Sequence, residues 1–163
     1  MKKGIALSIF AVLFTAFSGL AQLRTLGTLS VNRYDPRSTG NPYGTYGSPN
    51  SPLSIKNPYG VYGSPYSPYS VTNPYATNTP RIFSRDGRYL GKLSANPYDP
   101  ESTSNPYGVY GSQFSPTSIN NPLSTYGSPY SPMSPNNPYS VDGPVIVAPT
   151  RVLGVDLVSD DPE

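Results

Sequence analysis

The chain has no cysteine, no histidine and no tryptophan, and only 12% of its residues are charged. Each absence removes a class of chemistry. Without histidine or cysteine there is no Ser-His-Asp or Cys-His nucleophilic site, no ordinary zinc site and no haem or thiolate ligation. Without cysteine there is also no disulfide to staple a small exported domain and no thiol to carry a lipid anchor. Aliphatic side chains are scarce as well. Leu, Ile, Val and Phe number 25 of the 142 residues after position 21, about 18%, below the roughly 20% that a packed core requires. Pro (21) and Gly (15) are abundant, so little apolar surface is available to offset the entropy of ordering the chain.

There is one long apolar run, GIALSIFAVLFTAF from Gly4 to Phe17, preceded by Lys2 and Lys3 and followed by SGLAQ. A basic start, a short apolar stretch and small residues at Gly19 and Ala21 predict a secretory signal peptide cut after Ala21. The run is shorter than the ~20 apolar residues of a comfortable membrane span, and no later segment is apolar enough to cross a membrane. The expected destination is therefore the periplasm, the cell surface or the medium. Two of the 11 basic residues lie in the signal and none of the 9 acidic ones does, so the exported part carries nine of each sign. With no basic face to neutralise phosphates, nucleic acid is not an expected partner.

What the chain does contain is repetition. The long period is 64 residues: LGTLSVNRYDPRSTGNPYGTYGS from Leu26 matches LGKLSANPYDPESTSNPYGVYGS from Leu90. Within each copy runs a 16-residue unit, N-P-Y-G-x-Y-G-S-P-x-S-P-x-S-x-x, starting at Asn41, Asn57, Asn105 and Asn121 and truncated at Asn73 and Asn137. Asn-Pro-Tyr-Gly and Ser-Pro steps are turn chemistry: Asn or Ser bonds the backbone ahead, and proline presets φ. Residues before proline are pushed out of the helical region, and three prolines per unit delete the donors of a regular strand. One position per unit is often aliphatic (Ile55, Val71, Ile119, then Pro135), which is a thin core for stacked repeats. The expectation is an irregular, disordered chain mixing turns with polyproline-II segments.

Between the blocks the pattern changes. PRIFSRDGRYLGKLS predicts a β-hairpin about Asp86-Gly87, with strands Arg81–Ser84 and Arg88–Leu93. GPVIVAPTRVLGVDLV predicts a second, with Val145–Ala148, a Pro149-Thr150 turn and Arg151–Val158. An isolated hairpin is marginal in water, so these elements and a strand near Leu26 are expected to pair into one small sheet. The fold class expected is thus a mostly irregular, turn-rich, low-complexity repeat chain with an N-terminal signal helix and a few short antiparallel strands, in hairpins near 81–93 and 145–158. Its segments would be the signal peptide 1–21, a strand segment 22–40, a Tyr/Pro block 41–79, a hairpin and connector 80–104, a second block 105–143, and a C-terminal hairpin with acidic tail 144–163.

No catalytic group, metal site or cofactor site is expected. Lys56 and Lys92 are the only lysines after the signal, and neither sits in an S-x-x-K motif. Asp99 and Glu101 form the closest carboxylate pair, but the first copy carries Arg37 where the second has Glu101, and Asp-Pro turns explain Asp35 and Asp99. The same acids lack calcium-loop spacing, and the Pro-Tyr-Ser-Pro steps read as turn punctuation rather than as polyproline-helix ligands. The positive feature is tyrosine. A phenol offers a flat apolar face and a polar tip with few rotamers to lose. Tyr43, Tyr46, Tyr59, Tyr62, Tyr107, Tyr110, Tyr126 and Tyr139 are the candidate contact residues, suited to weak multivalent binding, with Arg33, Arg37, Arg81, Arg85 and Arg88 available for cation–π contacts. Expected partners are other copies of the chain or a cell-surface polymer or glycan.

YLGKLSANPYDPESTSNPYG, continuing through GSPYSPMSPNNPY, resembles exported bacterial proteins of unknown function that carry NPYGxYGSPYSP repeats. The resemblance covers nearly all of the exported chain. It implies an exported repeat protein and little more, and it brings no activity or site residue with it.

Overall fold

The computed structural model of the protein describes residues 24–149, 151–152 and 155–156. The signal helix expected within 1–21 and the acidic tail from 158 lie outside the described residues. Arg24–Pro149 forms one compact unit. Its strands are β1 (Thr25–Thr28), β2 (Arg81–Phe83), β3 (Tyr89–Lys92) and β4 (Val145–Val147), in one antiparallel sheet of order β1-β4-β2-β3. No helix occurs among the described residues. The hairpin expected at 81–93 is present. The Gly87 N–H donates to Ser84 O at 3.0 Å and the Ser84 N–H to Arg88 O at 2.9 Å. Gly87 takes φ 85°, which closes a three-residue loop of the kind that needs a left-handed residue at its end.

The 64-residue repeat becomes a pseudo-two-fold relation in the sheet. At its centre Ile82 faces Ile146, residues 64 apart. The outer pairs also correspond: Thr25 opposes Val147 and Thr28 opposes Val145, as Lys92 opposes Arg81 and Tyr89 opposes Phe83, each with one extra residue on the outer strand. That bulge carries the recurrent Leu-Gly. Gly27 and Gly91 have φ 82° and 101°, and an added Cβ would sit 2.7 Å from Tyr46 Cβ and 2.6 Å from Tyr110 Cβ respectively. Only glycine meets both demands.

The second expected hairpin, near 145–158, is corrected. Val145–Val147 is a strand, but it lies between β1 and β2, while β5 (Arg151–Val152) pairs with β6 (Val155–Asp156) in a separate two-stranded sheet. The reason lies in the repeat. RTLGTLS at Arg24 and RYLGKLS at Arg88 are copies of one strand, so β4 takes β1 as β2 takes β3, and the unit closes on itself. The outer edges of β1 and β3 are covered by the returning chain. The Thr28 N–H donates to Arg37 O (2.8 Å) and the Lys92 N–H to Glu101 O (2.8 Å), which leaves these edges protected from further strand pairing.

The two blocks contain neither strand nor helix, as their prolines dictate, but they are regular. From Ser48 to Asn57 the amide of every third residue donates to the carbonyl three before it (3.2–3.3 Å), and the same steps recur from Ser128 to Asn137 at 3.2–3.4 Å. The 16-residue unit is four such triplets plus one tetrad, G-x-Y-G, in which Ser48, Ser64, Ser112 and Ser128 each donate four residues back at 3.0 Å. The leading Ser or Asn of each triplet accepts from the amide two residues on, as with Leu53 on Ser51 Oγ at 3.3 Å and Tyr59 on Asn57 Oδ1 at 3.0 Å. Asn does more: its Nδ2 reaches the carbonyl six residues back in all six units, at 2.9–3.3 Å. Serine is too short for that second bond, which explains why one triplet per unit begins with Asn.

This geometry turns one residue in three inward. Ser38, Ser54, Ser70, Ser102, Ser118 and Ser134, spaced by 16 within each 64-residue repeat, are all 0% exposed. Successive units of the second block lie against one another, since Asn120 Nδ2 donates to Thr103 O (2.8 Å) and Asn136 Nδ2 to Ile119 O (2.9 Å). The interior of the blocks is therefore hydrogen-bonded polar backbone and hydroxyl. The buried aliphatic side chains fall into two clusters related by the repeat. One holds Leu26, Ile146 and Ala148 with Ile55 and Tyr62; the other holds Leu90, Ile82, Ile119 and Tyr126.

Candidate binding surface

Asn or Ser points inward, and the second and third residues of most triplets point out, with Tyr69, Ile119 and Pro135 as buried exceptions. Proline fills the second place and an aromatic often fills the third. Tyr43, Tyr59, Tyr107 and Tyr139 are 88–96% exposed. These four predicted contact tyrosines stand on the surface, in a row at 16-residue spacing that Tyr75 and Leu123 complete. A second row, Tyr34, Asn50 and Tyr66, with Tyr98, Phe114 and Tyr130 in the second repeat, has the same spacing, and all five of its rings are exposed. Tyr34, Tyr98 and Phe114 escaped the sequence reading. The signal was present: Asn32-Arg33-Tyr34 and Asn96-Pro97-Tyr98 are the same turn, with Tyr34 and Tyr98 donating to Asn32 and Asn96 Oδ1 at 3.0 and 2.9 Å.

The other four predicted contact tyrosines are turned inward. Tyr46 and Tyr110 close over Gly27 and Gly91, Tyr62 packs on the Leu26 cluster, and Tyr126 lies in the Ile82 cluster. All four come from the tetrad, G-x-Y-G for Tyr46, Tyr62 and Tyr110 and Ser124-Thr125-Tyr126-Gly127 for Tyr126, whose extra residue reverses the facing of its tyrosine. Tyr126 is also tied by its hydroxyl to Asp86 Oδ2 (3.2 Å), with the Arg88 guanidinium 5.8 Å from its ring centroid. Asp86 is held below its ordinary value by a hydrogen bond from Ser84, by the Arg88 amide and by Tyr126.

The carboxylate pair Asp99 and Glu101 is engaged by Lys92, whose Nζ lies 3.5 and 2.6 Å from them. Burial works against the charge on Lys92, but the hydrogen bond and charges of these two acids outweigh it and raise its pKa. Beside them the Tyr89 phenol is pushed well above its ordinary value by burial and by the charge of Glu101. Its ring contacts Phe83 and Tyr110 at centroid distances of 5.4 and 5.1 Å. This cluster is a buttress on β3. Among the described residues no three acidic side chains converge, and no helix is long and apolar enough to cross a membrane.

An open cleft of about 1060 Å³ lies where the two repeats meet. Its lining includes Leu29 and Leu93, Ile55 and Ile119, and Thr39 and Thr103, each pair related by the 64-residue repeat. Tyr107 and Phe114 of the second repeat and Arg33 and Lys56 of the first also line it. The volume sits at the top of the ~300–1,000 Å³ range of small-ligand sites. No family model, curated protein or solved structure matches the chain.

Proposed function

We propose that this is an exported, non-enzymatic structural or adhesive element of the envelope or extracellular space, akin to the bacterial NPYGxYGSPYSP proteins it resembles. It acts by weak multivalent contacts, with other copies of itself or with a cell-surface polymer. The observation that carries this reading is the double row of outward-facing rings at 16-residue steps. The backbone carrying each ring is fixed at the third place of a hydrogen-bonded turn, so little backbone motion is lost when the ring is covered, and repeated contacts combine through effective concentration. Replacing Tyr43, Tyr59 and Tyr75 with Ser removes one row from one block without touching the interior. Sedimentation velocity across a concentration series, together with retention on polysaccharide-coated surfaces, should then show weakened association. Unchanged association and retention would contradict the reading.

The cleft favours a second reading, a β-rich module that stacks sugar rings on Tyr107 and Phe114. A neutral or acidic oligosaccharide bound by the monomer, and lost in the double variant Tyr107→Ala, Phe114→Ser, would support it. Binding that survives this change would not.

A further inference from the structure

The two repeats do not contribute the same residues to the cleft. Arg33 and Lys56 come from the first repeat, and the equivalent positions 64 residues on are Pro97 and Asn120. Phe114 comes from the second repeat, and its first-repeat equivalent is Asn50. The lining therefore combines two cations from the first repeat with two aromatic residues from the second, beside the aliphatic Leu29, Leu93, Ile55 and Ile119. No acid lines the cleft. Three other basic groups are matched by acids: Arg37 lies 3.7 Å from Asp35, Arg85 3.6 Å from Asp142, and Lys92 between Asp99 and Glu101. Among the described residues Arg33 and Lys56 have no carboxylate within 4.0 Å.

We propose that the cleft binds an acidic polysaccharide, a chain of sugar rings bearing carboxylates, an inference that rests on the glycan reading of the cleft. The ring faces meet Tyr107 and Phe114, and the carboxylates meet Arg33, which suits them bidentately, and Lys56. An apolar segment in the same place would strip water from two unpaired cations. A nucleic acid would find only two cations, giving a salt dependence and affinity far below those of phosphate-tracking proteins.

The test is calorimetry of the full exported chain at low salt with three probes: a hexamer of galacturonic acid, the same hexamer fully methyl-esterified, and a hexa-aspartate peptide. The ester keeps the rings and removes the charge; the peptide keeps the charge and removes the rings. The acid hexamer should bind severalfold to about tenfold more tightly than either, the fold-change expected of two exposed charge contacts. The double variant Arg33→Ala, Lys56→Ala should erase that preference while leaving any binding of the ester unchanged. Both residues are exposed, and an unaltered near-ultraviolet circular dichroism spectrum checks that the fold is kept. Equal binding of ester and acid would overturn the acidic preference and leave the glycan reading standing. Binding of neither hexamer would overturn both. Hexa-aspartate binding as tightly as the acid hexamer would overturn the inference in favour of an acidic peptide.

Discussion

Gly127 closes the G-x-Y-G-equivalent tetrad of the second block, and Gly63 closes the corresponding tetrad of the first. In a loose chain, Gly→Ala at either place would be neutral, or stabilising by about 0.4–1 kcal/mol, because alanine restricts the unfolded state. In the stacked turns the sign reverses. A Cβ on Gly127 would press on the Asn121 carbonyl oxygen and lie 2.8 and 2.9 Å from the Asn121 C and N atoms. A Cβ on Gly63 would meet the Asn57 carbonyl oxygen, Ile55 O at 2.7 Å and Asn57 C at 2.9 Å. These are backbone atoms, fixed by the Asn side-chain bonds that hold each unit, so the turn itself must shift. Overpacking of this kind costs about 1–3 kcal/mol. After subtraction of the unfolded-state gain, each variant should be destabilised by about 1–2 kcal/mol. For a unit of this size that lowers Tm by roughly 3–10 °C. Thermal unfolding followed by the near-ultraviolet dichroism of the tyrosines measures it, with exposed Thr125→Ala as a control expected within about 0.5 kcal/mol of the parent. A Tm equal to or above the parent's in both glycine variants would refute the packed-turn account of the blocks.

Other parts of the fold give further expectations. Ile82→Ala or Ile146→Ala, each at a fully buried site on the pseudo-two-fold, should cost about 2–5 kcal/mol in chemical denaturation, and the two losses should be alike because the clusters correspond; a loss at one site only would deny the symmetry. Asn57→Asp keeps the acceptor for Tyr59 but removes the donor to Ser51 O (3.0 Å), so urea melts should show a loss of about 1 kcal/mol or more, whereas equal stability would mean that the six-residue reach contributes nothing. Tyr89 and Lys92 both have raised pKa values. Their stabilisation is complete below the unfolded values near 10 and is lost as pH rises above them. Alkaline unfolding should therefore set in above about pH 10, and Tyr89→Phe should remove the tyrosine part of that slope; an unchanged slope in the variant would reject this. Asp86, whose pKa is lowered from 3.8, has the opposite sign: its contribution is present above that value and fades as pH falls below it, and Asp86→Asn should flatten the acid limb of a stability–pH curve.

Much of this fold was legible because its chemistry is local. Asp86-Gly87 marked the hairpin, the prolines excluded helix and strand from the blocks, and the 64-residue repeat marked corresponding segments. Two things were not legible from the same residues. The first was the partner of β4. Local spacing favoured the adjacent RVLG segment, yet the first-copy strand at Arg24 has the same pattern, and sequence distance does not decide which copy pairs. The second was the regularity of the blocks. An expectation of irregular chain follows from counting aliphatic residues, but these units order around buried serine and asparagine, each satisfied by a backbone partner. The three-residue spacing of Ser, Asn and Gly within the 16-residue unit was the sign of it. The same oversight merged two kinds of tyrosine. Those that follow Asn-Pro face out, and those inside G-x-Y-G face in, because the tetrad adds one residue to the triplet step.

The central claim is that the tyrosine blocks are ordered arrays of hydrogen-bonded turns that hold their rings in fixed rows. Residue-resolved amide hydrogen exchange by NMR on the chain from Gln22 tests it most directly. The account predicts protection that recurs along both blocks on the amides that close turns, such as Ser54, Asn57, Gly60, Ser118, Asn121 and Ser134, which donate to carbonyls three residues back. It also predicts dispersed signals for the tyrosines of each block. Exchange at unprotected rates throughout 41–79 and 105–143, with protection confined to the four strands, would contradict it.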